Sequence, residues 1–187
     1  MSRTSLFLIA GNSATGKSTL VKTLLKKSNL ELARCITTTT RPMRRGEVQD
    51  SSYHFISNER FQSLIKKQAF VEYATVFGHC YGTQKADLEK LLKAKKNVLL
   101  ILDKVGIKSV LEIYPEAMLI MLTAKRETIK NRLIKRGTDP KEIRDRLSHL
   151  KEEKELLPLA DLVIATDQTT PRQVAGQVDA FIHHIVT

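Results

Sequence analysis

Short apolar runs alternate along the chain with stretches of helical spacing. Residues 5–10 are apolar after Ser5, read as a strand buried on both faces, and end at Gly11. Over residues 17–27, Leu20, Val21, Leu24 and Leu25 recur at the spacing of one helix face. Residues 34–47 are polar, Thr-rich and interrupted by Pro42 and Gly46, which predicts an exposed segment. Strands are expected at 53–56 and 70–76, and helices at 57–67 and 83–93. The unbroken apolar runs at 97–102 and 118–122 have strand length and fit a parallel sheet covered on both sides. A helix at 125–135 precedes Gly137. Asp139-Pro140 and Thr170-Pro171 each place a cap residue before a proline, so two further helices begin there. Residues 162–165 read as the last strand. Strands alternating with helices predict an α/β fold with a parallel sheet.

One loop in this pattern carries chemistry. Gly11-Asn12-Ser13-Ala14-Thr15-Gly16-Lys17-Ser18 matches G-x-x-x-x-G-K-[ST], and it joins an expected strand to an expected helix. Glycines let backbone N–H groups turn inward on phosphates, and the helix N-terminus adds partial positive charge. Lys17 can reach the β- and γ-phosphates, and the Ser18 hydroxyl can ligate magnesium. The motif predicts a nucleoside-triphosphate site but names no reaction. The chain is short for a translocase and lacks the Asn-Lys-x-Asp guanine-reading motif of GTPases. A kinase acting on a small phosphorylated acceptor leads.

Composition narrows the setting. The 187 residues suit one domain whose core needs no staple, and Cys35 and Cys80 form neither a disulfide framework nor a Cys-x-x-Cys metal site. No apolar run approaches the roughly 20 residues that span a bilayer. A soluble, cytoplasmic protein is expected. Thirty-one Lys and Arg against twenty Asp and Glu give a net charge of +11, which calls for an anionic partner. The basic residues are dispersed among acids, not massed in a nucleic-acid tail, so the anion site is expected to be built from selected side chains. The five histidines show no metal spacing.

Residues 37–47 place hydroxyls before arginines and a turn, and the guanidinium forks of Arg41 and Arg44 match phosphate oxygens. Tyr53 and Tyr81 can add hydroxyl donors. Together with the phosphate loop, the sequence resembles the guanylate kinase family over almost its whole length. The matching pieces are T-T-R-P-x-R-x-G-E at 39–47, Y-H-F-I-S at 53–57, F-V-E-Y-A at 70–74, Y-G-T at 81–83 and R-L-I-K-R-G-T-D at 132–139, with Arg146 and Leu147 beyond.

The resemblance implies a P-loop NTPase-type core, about 1–33, 84–130 and 157–187, with a GMP-binding insert at about 34–83 and a lid at about 131–156. It implies phosphoryl transfer from ATP to GMP, with Mg2+ as cofactor, and leaves open whether dGMP is also an acceptor. ATP would lie on Gly11, Asn12, Ser13, Ala14, Thr15, Gly16, Lys17, Ser18 and Thr19, under the lid arginines Arg132, Arg136 and Arg146. Arg41, Arg44, Tyr53 and Tyr81 would hold the GMP phosphate. Glu72, with Thr37 and Thr83, would read the guanine, because a carboxylate accepts from its N1–H and amine. Lys17, Arg41 and the lid arginines would act in catalysis. No nucleic acid or membrane enters, and the chain would be a monomer or homodimer.

Four positions depart from the family pattern. An acid-x-acid-x-Gln-Gly run is usual where this chain has Ile101, Asp103, Val105 and Gly106, so Asp103 is the acid left for a magnesium-linked or guanine-side role. Thr166-Asp167 stands for Asn-Asp, and Asn12 for a common proline. Two other readings share the frame: a ribose 1,5-bisphosphate phosphokinase, and a non-catalytic interaction module. The module reading sits poorly with an intact Lys17 and Ser18.

Overall fold

The computed structural model describes residues 5–44 and 46–187, and at 151–154 the backbone alone. The apolar runs form the centre of a five-stranded sheet. Strand β1 (Leu6–Ala10) lies between β7 (Asn97–Ile101) and β8 (Met118–Thr123), with β2 (Leu32–Arg34) and β9 (Leu162–Ala165) at the edges. All four pairings are parallel. Alternate residues supply two cores, the pattern expected of a sheet covered on both faces. Leu6, Leu8 and Ala10 pack with Leu88, Ile107 and Val110, under α3 (Lys85–Lys93) and α4 (Lys104–Ile113). Phe7 and Ile9 pack with Leu20, Leu24, Val178 and Ile182, under α1 (Lys17–Lys27) and α7 (Pro171–Val186). A third cluster joins Ala14 to α5 (Arg126–Lys135) and α6 (Pro140–Ser148) through Ile129, Leu133, Ile143 and Leu147. The pair α5–α6 thus sits on the turn that follows β1.

The caps read from sequence are present. Asp139 accepts from the Lys141 and Glu142 amides at the start of α6, and Thr170 forms a reciprocal capping box with Gln173 at the start of α7. No helix among the described residues is long and apolar enough to cross a membrane.

A second sheet runs in the order β4 (His54–Phe55), β3 (Thr38–Thr39), β6 (His79–Gln84), β5 (Phe70–Val76). Helix α2 (Asn58–Lys66) covers it through Phe61, whose ring stacks on Phe70 at 4.6 Å. This sheet corrects two expectations. Residues 34–47 are not uniformly exposed: Cys35, Thr37, Thr38, Thr39 and Arg41 are buried. Burial is tolerated because the polar groups are paired. Thr39 donates to the Cys80 carbonyl at 2.9 Å, and Thr38 accepts from Gln84 at 2.9 Å. The third helix begins at Lys85, not at Thr83, because Thr83 and Gln84 complete β6 against β5. Strand β2, helix α4 and a 3-10 stretch at His149–Leu159 add elements to those expected from the sequence.

Candidate active site

The loop after β1 is shaped by residues that tolerate left-handed backbone. Gly11 has φ 137°, and a Cβ there would strike the Leu122 carbonyl oxygen. Gly16 (φ 106°) caps α1 without a side-chain hydrogen bond, and the first turn of α1 contains no acid. The helix therefore leaves its first N–H groups and its positive end to an anion. Thr15 donates to the Asn12 carbonyl at 2.9 Å and closes the turn. Lys17 folds back over the loop, donating to the carbonyls of Gly11 and Asn12. The side chains of Ser18 and Thr19 are exposed.

Three arginines converge on this loop from α5 and α6. Arg132 donates to the Ala14 carbonyl at 3.1 Å and to the Thr166 hydroxyl at 3.0 Å. Arg146 donates to the Ser13 hydroxyl. Burial holds the Arg136 guanidinium below its usual pKa, with Arg146, Arg132 and Arg44 adding repulsion. A cavity of about 310 Å³ opens between Gly16, Thr19, Arg132, Arg136, Thr166 and Val174. The positions expected on the triphosphate side are thus gathered around one helix end.

A second cleft of about 850 Å³ lies between the second sheet and α6, lined by Arg41, Arg44, Tyr81, Glu142 and Arg146 among others. Arg41 is already engaged there. Its guanidinium makes a bidentate pair with Glu47 at 2.8 and 3.0 Å. Burial works against its charge, and the hydrogen bonds to Glu47 and Tyr81 outweigh burial and raise its pKa. Tyr53 lies outside this lining, edge-on to Tyr81 at 6.1 Å and between the guanidinium groups of Arg34 (5.7 Å) and Arg41 (5.4 Å). Burial raises its pKa, and Tyr81 adds to the rise.

Glu72 is the buried acid of the second sheet. The residue is 6% exposed, and its carboxyl accepts from the Thr83 hydroxyl at 2.5 Å. Burial pushes it up to about 7; the Thr83 hydrogen bond opposes the rise and Asp103 adds to it. Asp103 caps α4 by accepting from the Gly106 amide at 2.9 Å. A Cβ at Gly106 would come within 2.7 Å of Glu72 Oε2, so the missing side chain is what lets α4 approach the carboxyl. Thr37 is also buried in this sheet, next to β3.

Residues that composition and motif reading left without a role join these side chains. Arg34 holds the turn at Ser51 and Ser52 by its carbonyls, and packs over the Tyr53 ring. Glu47 binds Arg41, and Glu142 pairs with both Arg44 and Arg146. Only Glu47 had a sequence signal, its fixed place in the arginine motif. The Glu142 pair with Arg44 spans 98 positions, beyond any local pattern.

A strand–loop–helix turn with the G-x-x-x-x-G-K-S sequence, beside a cleft walled by arginines from a second sheet and from α6, defines an α/β protein of the P-loop class. Residues 3–180 match the family model described as Guanylate kinase. The chain belongs to the guanylate kinase family. It is 41% identical over 165 residues to the guanylate kinase of Neisseria meningitidis, covering 87% of this chain and 80% of that protein. It is 35% identical over 179 residues to that of Clostridioides difficile, covering 94% and 87%. The crystal structure of guanylate kinase from Anaplasma phagocytophilum shares the fold, with a TM-score of 0.78 over 98% of this chain and 87% of that one, at 22% identity.

Proposed function

We propose that the chain transfers the γ-phosphoryl group of ATP to GMP, giving ADP and GDP. The observation that carries this reading is Glu72, a buried carboxyl backed by Thr83 in the same sheet as the arginine cleft. Guanine presents N1–H and an exocyclic amine, which a carboxylate accepts, whereas adenine presents a lone pair at N1. Relatives named as guanylate kinases support the same acceptor. The core, acceptor insert and lid divide near residues 34, 84, 131 and 157 in this reading, and the enzyme works in the cytoplasm.

Phosphoryl transfer asks the protein for position and charge, not for a side-chain nucleophile. The loop amides and Lys17 hold the triphosphate. Arg41, Arg44 and Tyr81 hold the acceptor phosphate, with Tyr53 behind them. Arg132, Arg136 and Arg146 close over the transferred group, neutralise its developing charge and exclude water. For magnesium the residues fit an ion that arrives with the nucleotide. Ser18 offers an exposed hydroxyl at the start of α1, and no group of three His, Cys, Asp or Glu suited to a metal occurs among the described residues. When bound, the ion would be held by the Ser18 hydroxyl and would offset the negative charge of the triphosphate. Ile101, at the end of β7 on the α1 side, packs into the core and offers no ligand.

ADP release from Mg-ATP, followed with GMP, AMP, CMP, UMP and ribose 1,5-bisphosphate, tests the reading. GMP is expected to give the fastest release. No release above the blank with GMP would end it, and release with ribose 1,5-bisphosphate alone would establish the alternative acceptor.

A further inference from the structure

The donor loop and the acceptor loop are joined across the cleft by one carboxylate. Glu142, in the first turn of α6, accepts through Oε1 from Arg44 at 3.3 Å. The same oxygen accepts from Arg146, one turn further along the helix. Arg146 also donates to Ser13 in the phosphate loop and stacks over Phe77 at 5.7 Å. A continuous line of contacts therefore runs from Ser13 through Arg146 and Glu142 to Arg44.

Charge explains why a carboxylate sits here. Arg44, Arg132, Arg136 and Arg146 are close enough for the other three to weaken the proton affinity of Arg136. The neighbouring acids are otherwise engaged: Glu47 with Arg41, Asp139 in capping α6, and Asp145 with His149 at 3.6 Å. Glu142 supplies the negative charge that Arg44 and Arg146 share. A carboxylate gripped by two guanidinium groups occupies them in the way a phosphate oxygen does. Arg146 keeps a buried Nε with no acceptor among the described residues, so its donors are not exhausted by these contacts.

We propose that Glu142 is a positioning residue that latches α6 to the acceptor loop while the cleft holds no phosphate, and releases Arg44 to the acceptor phosphate. The proposal rests on the phosphoryl-transfer reading above. Its two arms do different things. The Arg44 arm competes with the acceptor phosphate. The Arg146 arm neutralises an arginine that would otherwise act on the donor triphosphate without an acceptor present. Binding of the acceptor thus exchanges one anion for another at Arg44.

Three proteins test this: the wild type, Glu142→Gln and Glu142→Asp. Inorganic phosphate and GMP are titrated calorimetrically into each, and ADP release from Mg-ATP is followed without acceptor. Glu142→Gln should bind both anions about twofold to fivefold more tightly, the scale of a half-exposed ion pair, and should raise acceptor-free hydrolysis. Glu142→Asp keeps the charge but loses a methylene of reach. It should tighten GMP and phosphate binding in the same direction as Glu142→Gln, because the one oxygen that both arginines share is drawn back from them. A purely structural role predicts lower melting temperatures with unchanged anion affinities. Unchanged or weaker phosphate and GMP binding in Glu142→Gln would overturn the proposal. The phosphate titration reads the latch whichever acceptor is phosphorylated, so failure of the GMP assignment and failure of the latch give different results. Glu142 is 41% exposed, and thermal melts confirm that each variant is folded.

Discussion

Replacing Glu72 by Gln should stabilise the empty protein at alkaline pH while removing its use for guanine. The Glu72 carboxyl is pushed up to about 7 from an ordinary 4.5, chiefly by burial. A folded-state value above the unfolded one means that the folded protein binds this proton more tightly. The favourable contribution is complete below pH 4.5 and is lost as pH rises through about 7. The ionised carboxylate then costs roughly 3 kcal/mol, taking about 1.4 kcal/mol for each pH step between the two values. Gln fills the same volume and its carbonyl can still accept from Thr83, but it has no charge to bury. Its amide protons need a new partner, which offsets about 1 kcal/mol. At pH 8 the variant should therefore melt several degrees higher than the wild type, at roughly 2–4 °C per kcal/mol for a domain of this size. At pH 5 the two should melt within a degree or two. Thermal melts of both proteins from pH 5 to pH 8 give the difference curve. A difference that stays flat across this window would refute the reasoning, because it would mean that Glu72 does not change charge there. The same linkage acts on the acceptor. Guanine N–H groups require the ionised acceptor, so GMP binding below pH 7 should release a proton, which calorimetry in buffers of different ionisation enthalpy detects.

Lys17→Ala should keep the fold and lower kcat by about 10² to 10³, the scale of losing one preorganised charge at the transferred group, as read by ADP release beside a thermal melt. Ile101→Asp should lower the magnesium concentration needed for half-maximal turnover, and should lower the melting temperature because the side chain leaves the α1-side core; a magnesium requirement identical to wild type would show that this strand end does not touch metal organisation. Gly106→Ala brings a methyl to 2.7 Å from Glu72 Oε2 and should raise the KM for GMP about tenfold or more while leaving the KM for ATP near its original value; steady-state kinetics varying each substrate in turn separates the two.

What the sequence revealed followed how local the physics was. The phosphate loop was legible because strand, glycines, lysine and helix start lie within a dozen neighbouring residues, and the capped starts of α6 and α7 were legible for the same reason. Strand β6 was read in part as helix because Thr83 and Gln84 are held by pairing with β5 across the turn at 77–78, and Gln84 also by Thr38, 46 positions away. Thr38 and Thr39 looked exposed because hydroxyls usually are; their partners, Gln84 and the Cys80 carbonyl, lie some forty positions on. Helix α4 was legible in Ile107, Val110 and Leu111 at helical spacing but was passed over; Gly106 in its first turn weakens a helix and admits Glu72. Arg41, Arg44 and Glu72 could be named from motif resemblance, and Glu47, the counter-charge of Arg41, stands in the same motif, but the counter-charge of Arg44 could not be named. The Arg44 pair with Glu142 exists only once α6 and the second sheet face each other.

The central claim is that Glu72 chooses the base while Arg41 and Arg44 grip any monophosphate, and one ratio tests it most directly. The GMP-to-AMP ratio of kcat/KM is measured for the wild type, Glu72→Gln and Arg44→Ala. A phosphate contact is blind to the base, so Arg44→Ala should weaken both acceptors and leave the ratio near its wild-type value. Glu72→Gln turns an acceptor into a donor facing guanine N1–H, and the ratio should collapse, since sites built to pair such groups discriminate by about 10⁴ or more. An unchanged ratio in Glu72→Gln would contradict the account and show that the base is read elsewhere.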